Sequence, residues 1–147
     1  MKNIILLTHG EFSKGIAQSC QFILGEVPNL ITLSITLDES TEKLKAMLES
    51  VVNDFGNDAQ TIIVTDIPGG STTQTAISML EEHPELYIMS GLCLGMLLSL
   101  VMLEMSEDRE ENLLHLREIQ KEARDTLIVV NDIVNMSITK DNGDGEL

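Results

Sequence analysis

Two short stretches of the chain carry residue types suited to holding an anion. Thr8-His9-Gly10 interrupts an apolar run, Ile4 to Leu7, and Asp66 closes another, Thr61 to Thr65, with Gly69-Gly70-Ser71 just beyond it. His9 offers a nucleophilic ring nitrogen, and a phosphoryl group on nitrogen stays labile enough to be passed on. A carboxylate at Asp66 can accept a hydrogen bond from the other ring nitrogen, which fixes the tautomer and the ring orientation. Gly69 and Gly70 let main-chain N–H groups approach an anion closely. A helix starting near Ser71 aims its positive end, worth roughly half a charge, at that anion. The Ser71 hydroxyl can bind a phosphoryl oxygen.

These groups meet only if the elements around them bring them together. Ile4 to Leu7 reads as a buried strand, and Phe12 to Leu24 as a helix stopped by Gly25. Leu30 to Ile35 reads as a second strand. Asp38 and Ser40 are candidate caps for a helix in which Leu44, Met47, Leu48, Val51 and Phe55 recur at helical spacing, ending at Gly56-Asn57. Thr61 to Thr65 is a third strand. Ser71 to Glu82 is a helix whose Ser71-x-x-Gln74 start matches a capping box. Leu86 to Met89 is a fourth strand, and Met96 to Met105 is helical. A further helix follows the polar break at Ser106-Glu107-Asp108, with Leu113, Leu116 and Ala123 inward. The β-branched run Leu127 to Val134 reads as a last strand, and Asp141 to Gly145 as a disordered polar tail.

Strand and helix alternate four times, which predicts an α/β domain with an open parallel sheet. With the strand order 2-1-3-4, the order reverses between strands one and three, and ligands bind beyond the carboxyl ends of such strands. His9 and Asp66 to Ser71 would then face one crevice. No internal repeat or linker is visible. The expected division is one domain over 1–135 and a tail over 136–147.

The composition agrees. Of 147 residues, 43% are hydrophobic but only 3% aromatic, so the core must be aliphatic, as suits parallel strands covered on both faces. Nine basic against 24 acidic residues give a formal charge of −15. Such a chain repels nucleic acid and anionic membranes and attracts basic protein partners. The longest apolar-rich stretch, Leu92 to Leu103, is broken by Gly95 and Ser99 and falls short of the roughly 20 residues of a membrane span. No signal-peptide pattern opens the chain, so a cytoplasmic location with no direct membrane insertion is expected. Cys20 and Cys93 lie in no Cys-x-x-Cys pair or metal spacing and read as reduced thiols; no metal or cofactor is expected.

Alone, each candidate has a bland alternative. A His after a strand is commonly a loop residue, Asp66 a turn residue, Ser71 an N-cap. Their convergence at one crevice carries the argument. His83, before Pro84 at a helix end, and His115, in a charged helix, have no such company. The phosphate-binding Gly-x-x-x-x-Gly-Lys, the Gly-x-Gly-x-x-Gly fingerprint and the nucleophile elbow are all missing, which argues against a nucleotide-dependent kinase.

These motifs resemble the IIA component of mannose-type sugar phosphotransferase systems. The likeness runs over residues 1 to 134: Ile4 to His9-Gly10 leading on to Leu24-Gly25, then Thr65-Asp66-Ile67-Pro68-Gly69-Gly70-Ser71, then Gly91 to Leu97 as Gly-x-x-x-x-Met-Leu. The resemblance implies a phosphotransferase with a phosphohistidine intermediate. His9 accepts a phosphoryl group from the carrier HPr and passes it to a IIB component, which serves a membrane permease. Asp66 would orient His9, and Ser71 would help hold the phosphoryl group. It also implies a homodimer in which the last strand, here Leu127 to Val134, crosses to the partner.

Three positions depart from the family pattern: Ile67 stands where a Thr or small polar residue is common, and Cys93 and Gly95 stand where many members have Asn and Pro. Two other readings stay open. One is the phosphotransferase subunit of a dihydroxyacetone kinase, although its second loop usually reads Met-Gly-Ser. The other is a regulatory protein-binding module for which phosphorylation of His9 is a charge switch.

Overall fold

The computed structural model describes residues 1–135. β1 (Lys2–His9), β2 (Leu30–Ile35), β3 (Gln60–Thr65) and β4 (Tyr87–Ser90) form one parallel sheet in the order β2-β1-β3-β4. This is the expected topology. Successive side chains of a strand face opposite sides, and helices cover both sides here, so the central strands are continuously apolar. Ile4, Leu6, Ile62 and Val64 pack against α1 (Phe12–Leu24), α4 (Leu94–Met102) and α5 (Arg109–Asp125) through residues such as Ile16, Cys20, Leu97, Leu100 and Leu116. Ile5, Leu7, Leu33 and Ile63 face α2 (Thr41–Phe55) and α3 (Ser71–Ser78), meeting Leu44, Leu48, Val52 and Ala76. Each such Leu or Ile stabilises the fold by about 1.5–3 kcal/mol through burial alone.

The helix ends show local sequence at work. Gly25 stops α1 with φ of +84°, donating its N–H to the Gln21 carbonyl at 2.8 Å. Ser40, rather than Asp38, caps α2, its Oγ accepting from the Lys43 N–H at 3.2 Å. Asp108 caps α5, accepting from Glu110 N–H at 2.9 Å and Glu111 N–H at 3.4 Å. α3 departs from expectation. Its N-cap is Gly70, in extended backbone, so Ser71 is the first helical residue and no capping box forms. α3 also ends at Ser78, continued by a short 3-10 turn over Met79–Glu81. α4 starts two residues earlier than expected and ends at Met102.

The amino ends of the strands form a tightly bonded base. Lys2 Nζ donates to the carbonyls of Leu100 (2.7 Å), Val101 (2.8 Å) and Leu103, closing the end of α4. Asn112 Oδ1 accepts from Ser106 N–H at 2.8 Å, and its Nδ2 donates to Tyr87 Oη at 3.0 Å and to the Ser106 carbonyl at 2.9 Å. Arg109 donates to the Glu85 and Leu86 carbonyls and lies 4.6 Å from the centre of the Tyr87 ring.

The expected strand at Leu127 to Val134 is not formed. Residues 127–129 are irregular and 130–135 are helical. Leu127, Ile128, Val129, Val130, Ile133 and Val134 are all exposed. β-Branched residues favour a strand only where a neighbouring strand supplies a ladder and a surface to pack on. Among the described residues β4 pairs with β3 alone, so this segment falls back on local bonds such as Asp132 N–H to the Val129 carbonyl at 3.0 Å. The expected tail, 136–147 with Asp141 to Gly145, lies outside the described residues.

Candidate functional site

The register of β1 and β3 places the two motifs side by side. Leu7 lies opposite Thr65, so His9, two residues on at the end of β1, and Asp66, the residue just beyond β3, emerge side by side. Thr8 turns inward, and its buried hydroxyl accepts the Ser13 N–H at 2.9 Å, supporting the start of α1. His9 turns outward. Gly10 then adopts φ of +58° and donates its N–H to the Ile35 carbonyl at 2.9 Å, carrying the chain away from the crevice.

Asp66 binds His9 twice through one oxygen. Its Oδ2 accepts the His9 main-chain N–H at 2.8 Å and lies 2.8 Å from His9 Nδ1. Oδ1 accepts the Ile67 N–H at 3.0 Å and the Thr72 hydroxyl at 2.9 Å. The Asp66 side chain is 10% exposed and the His9 ring 44%, so the carboxylate is sheltered while the imidazole can be reached. Burial pushes the Asp66 carboxyl up, but the hydrogen bonds from His9 and Thr72 and the attraction of the imidazole outweigh it and hold the group below its ordinary value. A carboxylate only accepts, so Nδ1 carries the proton and Nε2 keeps a free lone pair. Ser71 Oγ stands 3.3 Å from Nε2 and can donate to it.

The loop between β3 and α3 is built for this approach. The Gly70 N–H donates to the Ile67 carbonyl at 3.2 Å, Pro68 sits at the second position, and Gly69 has φ of +80°, as the third position of a type II turn demands. A Cβ on Gly70 would lie 3.5 Å from His9 Cε1 and 3.3 Å from the Ile67 carbonyl oxygen. The glycine pair therefore differs from expectation. Gly69 shapes the turn, and Gly70 gives room to the Ile67 carbonyl oxygen while spending its N–H within the loop. No side chain caps the start of α3, so its first N–H groups and the Ser71 hydroxyl are what the helix offers an anion.

All five residues singled out from the sequence thus converge on one end of the sheet. Thr72 was missed. A buried threonine second in a helix gives little signal in sequence, because helix threonines commonly bond within their own helix, as Thr75 does to the Ser71 carbonyl at 2.8 Å. Ile67 has an exposed side chain, and its main chain makes the contacts. Cys93 is the N-cap of α4 and lines an apolar groove with Phe12, Gly15, Ile16 and Leu94. Gly95 faces Thr126, whose Cγ2 would lie in ordinary contact, 3.7 Å, with an added Cβ. His83 lies at the opposite end of the sheet, 3.3 Å from Glu85, and His115 is half-buried in α5 rather than on its solvent face. Among the described residues no helix is long and apolar enough to cross a membrane.

An open parallel sheet with an accessible histidine, oriented by a carboxylate and facing a helix start, defines a class of α/β proteins able to carry an anionic group on imidazole. Comparison with known proteins narrows the class. The profile described as "PTS system fructose IIA component" matches residues 3–116. The chain is 27% identical over 119 residues to the sorbose-specific EIIA component of Lacticaseibacillus casei, covering 81% of this chain and 86% of that one. It is 26% identical over 103 residues to the fructose-specific EIIA component of Bacillus subtilis, covering 70% of each. The solved structure of the mannose/sorbose-specific IIA subunit from Enterococcus faecalis superposes with a TM-score of 0.74 at 27% identity, covering 84% of this chain and 92% of that one. The chain belongs to the mannose-type EIIA family of the sugar phosphotransferase system. Its family role is that of a phosphoryl carrier in sugar transport.

Proposed function

We propose that His9 accepts a phosphoryl group from phospho-HPr and passes it to a IIB component, in the cytoplasm, for sugar uptake through a membrane permease. The observation that carries this reading is the geometry of one ring. Nδ1 is held 2.8 Å from Asp66, which leaves Nε2 facing Ser71 and the uncapped start of α3. In the transfer, the Nε2 lone pair attacks phosphorus, the nitrogen–phosphorus bond of the donor breaks, and its electron pair returns to the donor imidazole. The Nδ1 proton stays on the ring, and Asp66 balances the positive charge that develops there. Ser71 turns its hydroxyl to a phosphoryl oxygen, and the helix start favours the added negative charge. The onward step is the reverse attack by a nucleophile on IIB. The −15 charge favours encounter with a donor whose contact face is basic.

The test is transfer of labelled phosphate from phospho-HPr to the chain and then to purified IIB. Label that passes through the wild type and stops at Asp66→Asn supports the relay. Label that enters but reaches no IIB favours the regulatory module instead. Label that passes to a nucleotide bound on a dihydroxyacetone kinase favours that alternative.

The exposed apolar segment Leu127 to Val134 and the edge of β4, unpaired among the described residues, support a homodimer in which this segment covers β4 of a second copy. Sedimentation of the full chain should then give a dimer, and a chain cut before Leu127 a monomer. A full-length monomer would contradict the pairing.

A further inference from the structure

We infer that Thr72 is a positioning residue for His9, its hydroxyl fixing the Asp66 carboxylate so that Oδ2 holds the imidazole by Nδ1. The inference rests on the carrier role proposed for His9 and adds to it a residue that acts through another. Thr72 is wholly buried, and its Oγ1 lies 2.9 Å from Asp66 Oδ1. Because the carboxylate only accepts, the threonine donates.

The other bonds to Asp66 come from its own neighbourhood: the Ile67 N–H next to it in the chain, and the main chain and ring of His9, the residue to be held. The Thr72 contact alone ties the carboxylate to α3, the helix whose first residue, Ser71, stands against Nε2. One short helical stretch therefore sets both sides of the ring, Ser71 directly and Thr72 through Asp66.

The next residue sharpens the assignment. Thr73 Oγ1 donates to the Ile67 carbonyl at 2.7 Å and lies 2.7 Å from Thr65 Oγ1, itself bonded to Ser90 Oγ at 2.8 Å. Two consecutive threonines thus grip the loop after β3 at different points. Thr73 holds its main chain to the sheet, and Thr72 holds its carboxylate. Removing the Thr72 hydroxyl leaves the Thr73 grip intact and frees only the carboxylate, so its effect should fall on the His9 ring rather than on the fold.

The experiment compares wild type, Thr72→Val, Thr72→Ser and Thr75→Val. The tautomer of neutral His9 is read by two-bond proton–nitrogen NMR, and the rate of phosphoryl uptake from phospho-HPr is read in parallel. Thr75 supplies a buried hydroxyl of the same helix whose bond goes to the Ser71 carbonyl instead. Thr72→Val should populate the tautomer protonated at Nε2 and slow uptake about tenfold, the size expected for one hydrogen bond to a charged group. Thr72→Ser should restore both, and Thr75→Val should change neither. If Thr72→Val keeps the wild-type tautomer and rate, if Thr72→Ser is as impaired as Thr72→Val, or if Thr75→Val shifts the tautomer equally, the assignment is overturned. Should Thr72→Val not fold, Thr72→Ala is read in its place. The tautomer is measured without a donor, so wild type that takes up no phosphate defeats the carrier role while the NMR still decides the role of Thr72.

Discussion

The two ends of the sheet use polar groups in opposite ways. At the amino end, Lys2, Asn112 and Arg109 tie β1 and β4 to the loops around α4 and α5, each bonding main-chain carbonyls or a neighbouring side chain. At the carboxyl end, one sheltered carboxylate is engaged through both oxygens, but the ring it holds is exposed and the helix beside it starts uncapped. Bonds at the base are closed among themselves and stabilise the fold. Those at the site end on a ring with one free lone pair, so their effect appears in reactivity. Changes at the two ends should therefore separate into effects on stability and effects on transfer.

The largest effect short of removing His9 itself is expected at Asp66. Asp66→Asn leaves a side chain of the same shape whose amide can donate, so Nδ1 loses its fixed proton, and transfer from phospho-HPr should fall about a hundredfold. The same pair gives a pH test. The Asp66 carboxyl is depressed in the folded chain, so its stabilising contribution is fully present above its unfolded value of about 4 and is lost as pH falls through the folded value. The stability difference between wild type and Asp66→Asn in urea unfolding should be constant from about pH 7 to 5 and shrink below about pH 4.

At the base, Lys2→Met removes three donors to the end of α4 and should cost about 2 kcal/mol in urea unfolding while leaving the transfer rate per folded molecule unchanged. A loss of transfer with no loss of stability would erase the distinction between the ends. Ser71→Ala should act in the opposite sense, slowing transfer about tenfold with little change in melting temperature. The smallest effect is expected at Asn3, the exception at the base. It is wholly buried, and among the described residues its amide nitrogen and oxygen meet no hydrogen-bond partner. Asn3→Val should raise stability by about 1 kcal/mol, because it removes buried polar atoms from a strand that favours β-branched residues.

The same contrast explains what could be read from the sequence. The site was legible because its chemistry lies in contiguous motifs at strand ends, and the alternation of strands and helices places those ends together. The base was not. Lys2 meets carbonyls 98 to 101 residues away, and no local pattern announces such a contact. At α3 the local pattern misled. Ser71-x-x-Gln74 has the form of a capping box, but extended backbone at Gly70 makes that glycine the N-cap and leaves the Ser71 hydroxyl for His9. Leu127 to Val134 has strand composition without a strand partner among the described residues, so composition and conformation part there. Thr72 escaped because its role depends on where Asp66 lies in space.

The account stands on His9 as the carrier. Its most direct test is the intact mass of the chain after incubation with phosphoenolpyruvate, enzyme I and HPr, for wild type and His9→Ala. The account predicts one acid-labile phosphoryl group on the wild type and none on His9→Ala, with equal melting temperatures. A wild type that stays unmodified while HPr is phosphorylated, or a His9→Ala chain that still gains the group, would contradict it.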